Sequence, residues 1–346
     1  MIQVRRDYDL TKLNTFGIYA RAKFFVELEQ EADFPELFSA PEFQKNKKLF
    51  LGGGSNVLFT KDFDGIVILN KLKGIEILNE NQENVVVHSM GGEIWHDLVL
   101  FAVEHGFWGI ENLSLIPGTV GAAPMQNIGA YGAELEHVLA NVEAYEIESG
   151  LKRIFQKEEC QLGYRDSIFK NKLKDKYFIS AITLKLSKIE KKNINYKILI
   201  DHLAKNKVTV KCPKDVSDAV CHIRRSKLPD PKIIGNAGSF FKNIFVDQPK
   251  LDALLKIYPQ IPYFTEDGMV KIPAGWLIEQ CGPALGGTSW KGHRVGNAGV
   301  HDRQALVLVN HGEATGEEIK NLAQEIISSV EKKFGLTLVP EVNLIQ

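Results

Sequence analysis

Residues 51–59 read LGGGSNVLF, three glycines between two apolar segments, and no other stretch constrains the fold as much. A glycine-rich turn after a strand can cradle a phosphate, because successive backbone N–H groups converge on an anion. In a doubly wound dinucleotide fold the pattern is GxGxxG, and it opens a helix. Here the glycines run into Val57, Leu58 and Phe59, which read as a second strand. The stretch is therefore either a strand–loop–strand phosphate site or a tight hairpin connection. Its surroundings also argue against a doubly wound sheet. Segments rich in β-branched and aromatic residues cover 24–29, 48–51, 66–70, 74–78 and 85–88, with Gly, Asn and Asp between several of them. One helix interrupts them over 93–105, with Ile94, Leu98, Phe101 and Ala102 on one face and Gly106 as its stop. Strands return over 138–187, and the Lys/Asn-rich stretch 188–210 reads as a surface excursion. Asp215 caps a helix whose core face carries Val216, Ala219, Val220 and Ile223. Thr315 and Glu318 form a capping box for a last helix that Gly335 closes, and 336–345 reads as a closing strand. Strand blocks followed by a more helical third predict an α+β fold.

Composition narrows the function classes. The chain has 346 residues, enough for two or three domains, and 44% hydrophobic residues supply real cores. A net charge of -1 gives no reason to expect nucleic acid or an acidic membrane, so an anionic ligand needs local basic groups. The start, MIQVRRDYDL, lacks a signal-peptide stretch, and no run approaches the roughly 18 apolar residues of a membrane span. A cytoplasmic protein without membrane insertion is expected. Cys160, Cys212, Cys221 and Cys281 form no CxxC pair, so they read as reduced, mostly buried thiols and no metal site is expected.

Several polar segments carry candidate chemistry. Residues 116–132, IPGTVGAAPMQNIGAYG, hold no charge and let backbone approach a ligand closely. A flavin ring suits such a segment, with Gln126 and Asn127 at its edges, but a packed core crossover reads equally well. Tyr164, Arg165, Asp166 and Ser167 follow one another, and an arginine can hold a carboxylate bidentately. A surface Arg–Asp pair is the plainer reading. Arg224, Arg225 and Lys227 near a helix C-terminus form either a phosphate site or a complement to the helix dipole. Ser239 follows Gly235 and Gly238 in GNAGSFFKN without a GxSxG elbow, which suits a proton donor, a binding hydroxyl or a polar turn better than a nucleophile. Glu341 stands between Pro340 and Val342, where facing solvent is the plainer reading.

Taken in order, NTFG, GGGSNVL, IPGTVGAAPMQNIGAYG, GYRDSIFK, KLPDP, GNAGSFFKN, AGWLIEQ, HDRQALVLVN and PEV closely resemble the UDP-N-acetylenolpyruvoylglucosamine reductases, in their longer, type I form. The resemblance implies a two-part FAD-binding region of the vanillyl-alcohol-oxidase type, over 1–78 and 79–226. It implies a substrate-binding domain over 227–335, and a closing strand over 336–346 that carries Glu341. It also implies non-covalent FAD, NADPH as co-substrate, and reduction of UDP-N-acetylglucosamine enolpyruvate to UDP-N-acetylmuramate for peptidoglycan synthesis. By motif, Arg165, Ser239 and Glu341 are the catalytic residues: the cation for the developing charge, the proton donor, and a group that orients the intermediate or acts as an acid. Gly52, Gly53, Gly54, Ser55 and Asn56 fall in the FAD-binding segments. So do Pro117, Gly118, Gly121, Ala122, Gln126, Asn127, Gly129, Ala130 and Gly132. Tyr164, Tyr196, Lys227, Asn243 and Gln280 hold the UDP-sugar. Where the family commonly has proline after GSFFKN, this chain has Ile244. Rival readings are another flavin oxidoreductase of the same superfamily, or a non-catalytic flavin or UDP-sugar module. The first histidine is His88, so no histidine is at hand to tether a flavin earlier in the chain, and keeping all three catalytic residues speaks against a mere module.

Overall fold

The computed structural model describes residues 2–266, 268–283 and 287–346. The chain forms two compact units, each assembled from separated stretches. One comprises the stretch ending at Tyr8, Ala22–Gly54 and Asp64–Ser226; the other comprises Asp9–Arg21, Ser55–Phe63 and Lys227–Gln346.

The first unit holds two large sheets, besides the short pair Gly129–Ala130 and Ala133–Glu134. In one, the strands Arg5–Asp9, Arg21–Leu28, Phe63–Asn70 and Lys47–Leu51 lie side by side in that order. Lys47–Leu51 and Phe63–Asn70 run parallel, with Lys47 opposite Gly65 and Leu51 opposite Leu69. Parallel neighbours cannot be joined by a hairpin turn. The glycine stretch after Leu51 leads instead into Val57–Phe59, which pairs with Asn343–Ile345 rather than with Lys47–Leu51, so the hairpin alternative is excluded. In the other sheet, Lys152–Gln156, Leu139–Glu146, Tyr177–Ser187, Asn84–Met90 and Ile75–Glu80 are antiparallel throughout. The helix Trp95–Glu104 packs Leu98, Val99 and Ala102 into a core with Val85, Val87, Val142 and Ile182. A second core of Val26, Leu28, Phe34, Ile66, Ile68 and Phe178 joins the four-stranded sheet to the helix Phe34–Ser39.

Two sequence expectations need correction in this unit. The stretch 188–210 contains the helix Lys197–Lys205, which buries Leu199 and Leu203 against Val216, Ala219, Val220 and Ile223. Burying a leucine contributes about 1.5–3 kcal/mol, enough to fix a short helix that propensity alone would leave marginal. The helix expected to start at Asp215 spans Pro213–Lys227 instead. Asp215 lies in its first turn, where its carboxylate accepts the N–H groups of Lys211 at 2.7 Å and Cys212 at 3.1 Å.

The second unit is built on the strands Gly235–Ser239, Val307–Asn310, Ala298–Val300 and Arg294–Val295, paired in that order. The helix Gly316–Phe334 buries Ile319, Leu322, Ala323, Ile326 and Val330. Its capping box forms as expected: the Thr315 hydroxyl accepts the Glu318 N–H at 3.2 Å, and the Glu318 carboxylate accepts the Thr315 N–H at 2.7 Å. The closing strand is much shorter than 336–345. Asn343–Ile345 runs parallel to Val57–Phe59, and before it Pro340 makes an isolated antiparallel bridge to Phe241. Glu341 thus precedes the strand. Ile244 starts the strand Ile244–Val246, opposite Ile272, a position at a strand's beginning that also tolerates proline. Three of the four free cysteines, Cys160, Cys221 and Cys281, are buried and Cys212 is exposed.

Candidate active site

In the first unit, two glycine segments meet backbone to backbone. A Cβ on Gly52 would lie 2.2 Å from the Thr119 Oγ1, and one on Gly53 would lie 3.0 Å from the Gly118 Cα. A larger residue at Gly52 would displace the Thr119 side chain, and one at Gly53 would crowd the Gly118 backbone. The 117–121 stretch is fixed from behind by the Trp95 N–H on the Gly118 carbonyl (3.0 Å), the Val120 N–H on Glu93 (2.9 Å) and the Gly121 N–H on Gly91 (2.8 Å). The Thr119 hydroxyl is buried and has no hydrogen-bond partner among the described residues. Such groups normally find a partner, and a bound cofactor would supply one here. A backbone-lined cradle with an orphaned hydroxyl fits a phosphate-bearing cofactor with a flat, weakly polar body.

Arg165 sits on a two-residue turn. Gly163 and Asp166 exchange both backbone hydrogen bonds at 3.1 Å, and Arg165 takes a left-handed φ of 52°. That is the third position of a type II turn, normally a glycine. The conformation turns the side chain back toward the glycine segment, where its Nη2 donates to the Gly129 carbonyl at 2.7 Å. The Tyr164 ring lies 5.3 Å from the guanidinium carbon. Ser167 fastens the turn by donating to the Met125 carbonyl at 2.8 Å. Asn127 fastens it too, donating to the Gly163 carbonyl at 3.1 Å and to Glu134 at 2.7 Å, while its own oxygen accepts the Glu136 N–H at 3.0 Å. Asn127 is fully buried, so its amide organises the protein rather than meeting a flavin edge, contrary to the sequence expectation.

Tyr196 precedes the helix Lys197–Lys205 and rests edge-on against Tyr131, with centroids 5.6 Å apart. Arg224 points into the same region, its Nε donating to the Leu115 carbonyl at 3.2 Å. Burial pulls Arg224 below its usual value, with the nearby Arg165 charge acting in the same direction. Burial pushes the Tyr131 phenol up. The first unit thus brings together the residues 52–54 and 117–132, Tyr164, Arg165, Tyr196 and Arg224. Sequence reading missed Thr119 as a distinct polar group, since nothing in its neighbours marks its hydroxyl as unsatisfied.

The second unit gathers another set. Ser239 ends its strand after Gly238, which takes a φ of 68°, and the pairing register with Val307–Asn310 shifts between Asn236 and Ser239. Ser239 is therefore aimed by a strand irregularity rather than a free turn. The next residue, Phe240, donates its N–H to Leu306 at 2.7 Å and accepts the Glu341 N–H at 2.7 Å. That bond places Glu341 beside the Ser239–Phe240 backbone. The Asn56 amide donates to the Glu341 carbonyl at 3.3 Å, and the Asn56 carbonyl accepts the Asn343 N–H at 3.0 Å. The Asn243 carboxamide oxygen caps the short helix Ala274–Glu279 by accepting the Ala274 N–H at 3.1 Å. Gln280 follows that helix, and its carbonyl accepts the Lys333 ammonium. Lys227 ends the helix Pro213–Lys227. The NTFG motif is structural here: Asn14 is buried and spans its own loop, donating to Leu10 (3.0 Å) and Ile18 (2.9 Å), while Asn310 donates to the Phe16 carbonyl at 2.9 Å.

Residues 22–150 match the family model of the FAD binding domain, and residues 230–345 match the C-terminal domain of UDP-N-acetylenolpyruvoylglucosamine reductase. The reductase of that name from Amoebophilus asiaticus is 48% identical over 346 residues, covering both chains completely. The one from Chromobacterium violaceum is 46% identical, covering 98% of each chain. The crystal structure of the Thermus caldophilus reductase matches over both whole chains with a TM-score of 0.66 at 21% identity, which agrees with an FAD-binding region followed by an α+β C-terminal domain. With relatives this similar over its full length, and with a glycine cradle that fits the cofactor, the chain belongs to the UDP-N-acetylenolpyruvoylglucosamine reductases, a family of FAD-dependent oxidoreductases.

Proposed function

We propose that the protein uses NADPH to reduce the enolpyruvyl ether of UDP-N-acetylglucosamine to UDP-N-acetylmuramate, a step in making peptidoglycan precursors. Among structural features, the Arg165 turn supports this reading most directly: a cation held in a glycine-type conformation against the Gly129 carbonyl of the glycine-rich segment. When bound, FAD reduced by NADPH would supply the hydride. Residues 52–54 and Thr119 hold it, together with the 117–132 backbone. Arg165 stabilises the negative charge that develops on the substrate carboxylate and α-carbon, a task suited to a planar guanidinium. Ser239 delivers a proton to the α-carbon, and Glu341 orients the intermediate. Serine is a weak acid, so the carbanion it meets must be strongly basic. Tyr164, Tyr196, Lys227, Asn243 and Gln280 bind the UDP-sugar.

Without oxygen, NADPH should bleach the yellow protein, and the enolpyruvyl UDP-sugar should restore the colour with one equivalent of reduced sugar formed. Bleaching that the enolpyruvyl sugar cannot reverse would refute the assigned substrate.

A further inference from the structure

The turn Glu111–Leu113 is a buried polar plug in an otherwise apolar neighbourhood. Glu111 and Asn112 are each 1% exposed and Ser114 is fully buried. Glu111 accepts the Gly109 N–H at 2.6 Å, though burial still pushes its carboxyl above the ordinary range. The Ser114 hydroxyl lies 2.8 Å from the Ser217 hydroxyl on the helix Pro213–Lys227. Asn112 makes the two bonds of most consequence. Its Nδ2 donates to the Tyr131 carbonyl at 2.9 Å and to the Asn193 carbonyl at 2.8 Å. Asn193 returns the tie, donating from its own Nδ2 to the Gly132 carbonyl at 2.8 Å.

These bonds converge on Tyr196. Tyr131, which takes a left-handed φ of 50°, carries the ring on which Tyr196 rests edge-on. Asn193 lies three residues before Tyr196, whose own carbonyl accepts the N–H groups of Leu199 at 2.8 Å and Ile200 at 3.0 Å. Tyr196 is 45% exposed, so packing alone does not fix its ring. What fixes it is the backbone on both sides, and one amide holds the backbone of both tyrosines' segments. Only a carboxamide places two donors on one planar nitrogen at this reach.

We propose that Asn112 is a positioning residue for substrate binding, setting Tyr196 through the carbonyls of Tyr131 and Asn193. This rests on the reading of Tyr196 as a group that holds the UDP-sugar. Asn112→Ala removes both donors and strands two part-buried carbonyls; Asn193→Ala, at a half-buried site, removes only the return bond and keeps the fold safer. The holoenzyme of each variant, with flavin content and thermal midpoint checked, would be titrated with the enolpyruvyl UDP-sugar and its kcat and KM measured. Asn112→Ala should raise the substrate Kd and KM by about 5- to 30-fold, the span of a change of roughly one to two kcal/mol, with kcat within about threefold. Asn193→Ala should raise Kd by a smaller factor in the same direction. In a double-mutant cycle Asn112→Ala should add little to Tyr196→Ala, since both remove one function.

If Tyr196→Ala raises Kd while Asn112→Ala and Asn193→Ala do not, or if the factors simply multiply, the positioning role is overturned and Tyr196 keeps its own. If Tyr196→Ala leaves Kd unchanged, the reading of Tyr196 fails and the inference with it. Should Asn112→Ala fail to fold, Asn193→Ala in a cycle with Tyr196→Ala decides alone. Loss of bound flavin in the folded variants would overturn the proposal in favour of a cofactor-binding role.

Discussion

Arg165 stands where its backbone would suit glycine, and holding a residue with a Cβ there costs on the order of 1–3 kcal/mol. The hydrogen bonds from Asn127 and Ser167 to the turn and its neighbour offset that strain. Ser239 is aimed by a comparable irregularity, the register shift after Asn236. If Ser239 is the proton donor, Ser239→Ala should separate the two halves of turnover. NADPH should bleach the flavin at the wild-type rate, since that half needs no proton on the sugar carbon. Recovery on adding the enolpyruvyl sugar should slow by roughly 10²–10⁴, the range for losing a general acid. Stopped-flow absorbance without oxygen reads each half, and an unaffected recovery would remove Ser239 and leave Glu341 as the leading donor. The types of these residues were legible in the sequence, because GYRDS and GNAGS put chemistry beside turn-forming residues. Their strain was not, because φ depends on what the finished turn is tied to. Asn127 shows the opposite failure: an amide in a glycine-rich stretch reads as a ligand contact, while its real partners, Glu134 and Gly163, are set by folding.

At the scale of elements, the strands of the antiparallel sheet carry a charged network that no periodicity announces. His88 lies between Glu143, 3.2 Å from its Nε2, and Glu76, 3.5 Å from its Nδ1. Lys152 on the neighbouring strand lies 2.6 Å from Glu143 and 3.1 Å from Glu31, close to the Tyr145 ring. The His88 hydrogen bond and then Lys152 hold Glu143 down at about 2, from an ordinary 4.5. The Glu143 bond raises His88. The signs are opposite. The Glu143 contribution is fully present above its unfolded value and is lost as pH falls from about 4.5 toward about 2. The His88 contribution is fully present below 6.5, its ordinary value, and fades as pH rises through the raised one. Urea unfolding across pH should therefore show Glu143→Gln losing up to about 3 kcal/mol less than wild type on acidification. Parallel acid profiles for the two proteins would show that the network does not set acid stability. Elsewhere the sequence announced elements according to their apolar pattern. The helix Gly316–Phe334 has a long stripe and caps at both ends, and it was fully legible. The helix Lys197–Lys205 buries only Leu199 and Leu203 and leaves Ile198 and Ile200 exposed, so its stripe is blurred and polar flanks hide it.

At the scale of the whole molecule, the segments Asp9–Arg21 and Ser55–Phe63 join the second unit although most of their sequence neighbours build the first. Local pattern identifies such segments as strands or loops but says nothing of which core will take them up. The glycine cradle is likewise a meeting of stretches far apart in sequence, 52–54 and 117–121, and it bears on how the cofactor is held. A covalent tether needs a nucleophilic side chain, and three such groups of the first unit are engaged or inert. His88 is held between Glu76 and Glu143. The His96 Nδ1 accepts the Leu115 N–H at 3.0 Å. The Cys160 thiol is buried and pushed up to about 12, so almost none of it is thiolate. FAD should therefore be held without a covalent bond. Acid precipitation should release all of the yellow colour to the supernatant, and colour kept in the pellet would defeat the claim. A reversibly bound cofactor also stabilises by mass action, by about 2.7 kcal/mol at a free concentration 100 times Kd. Colourless protein refolded without FAD should melt lower, and FAD at that excess should raise the midpoint by roughly 5–10 °C for a unit of this size. The rise should keep growing with the logarithm of added FAD. A midpoint that plateaus once one equivalent is bound would point to a tethered or practically irreversible cofactor instead.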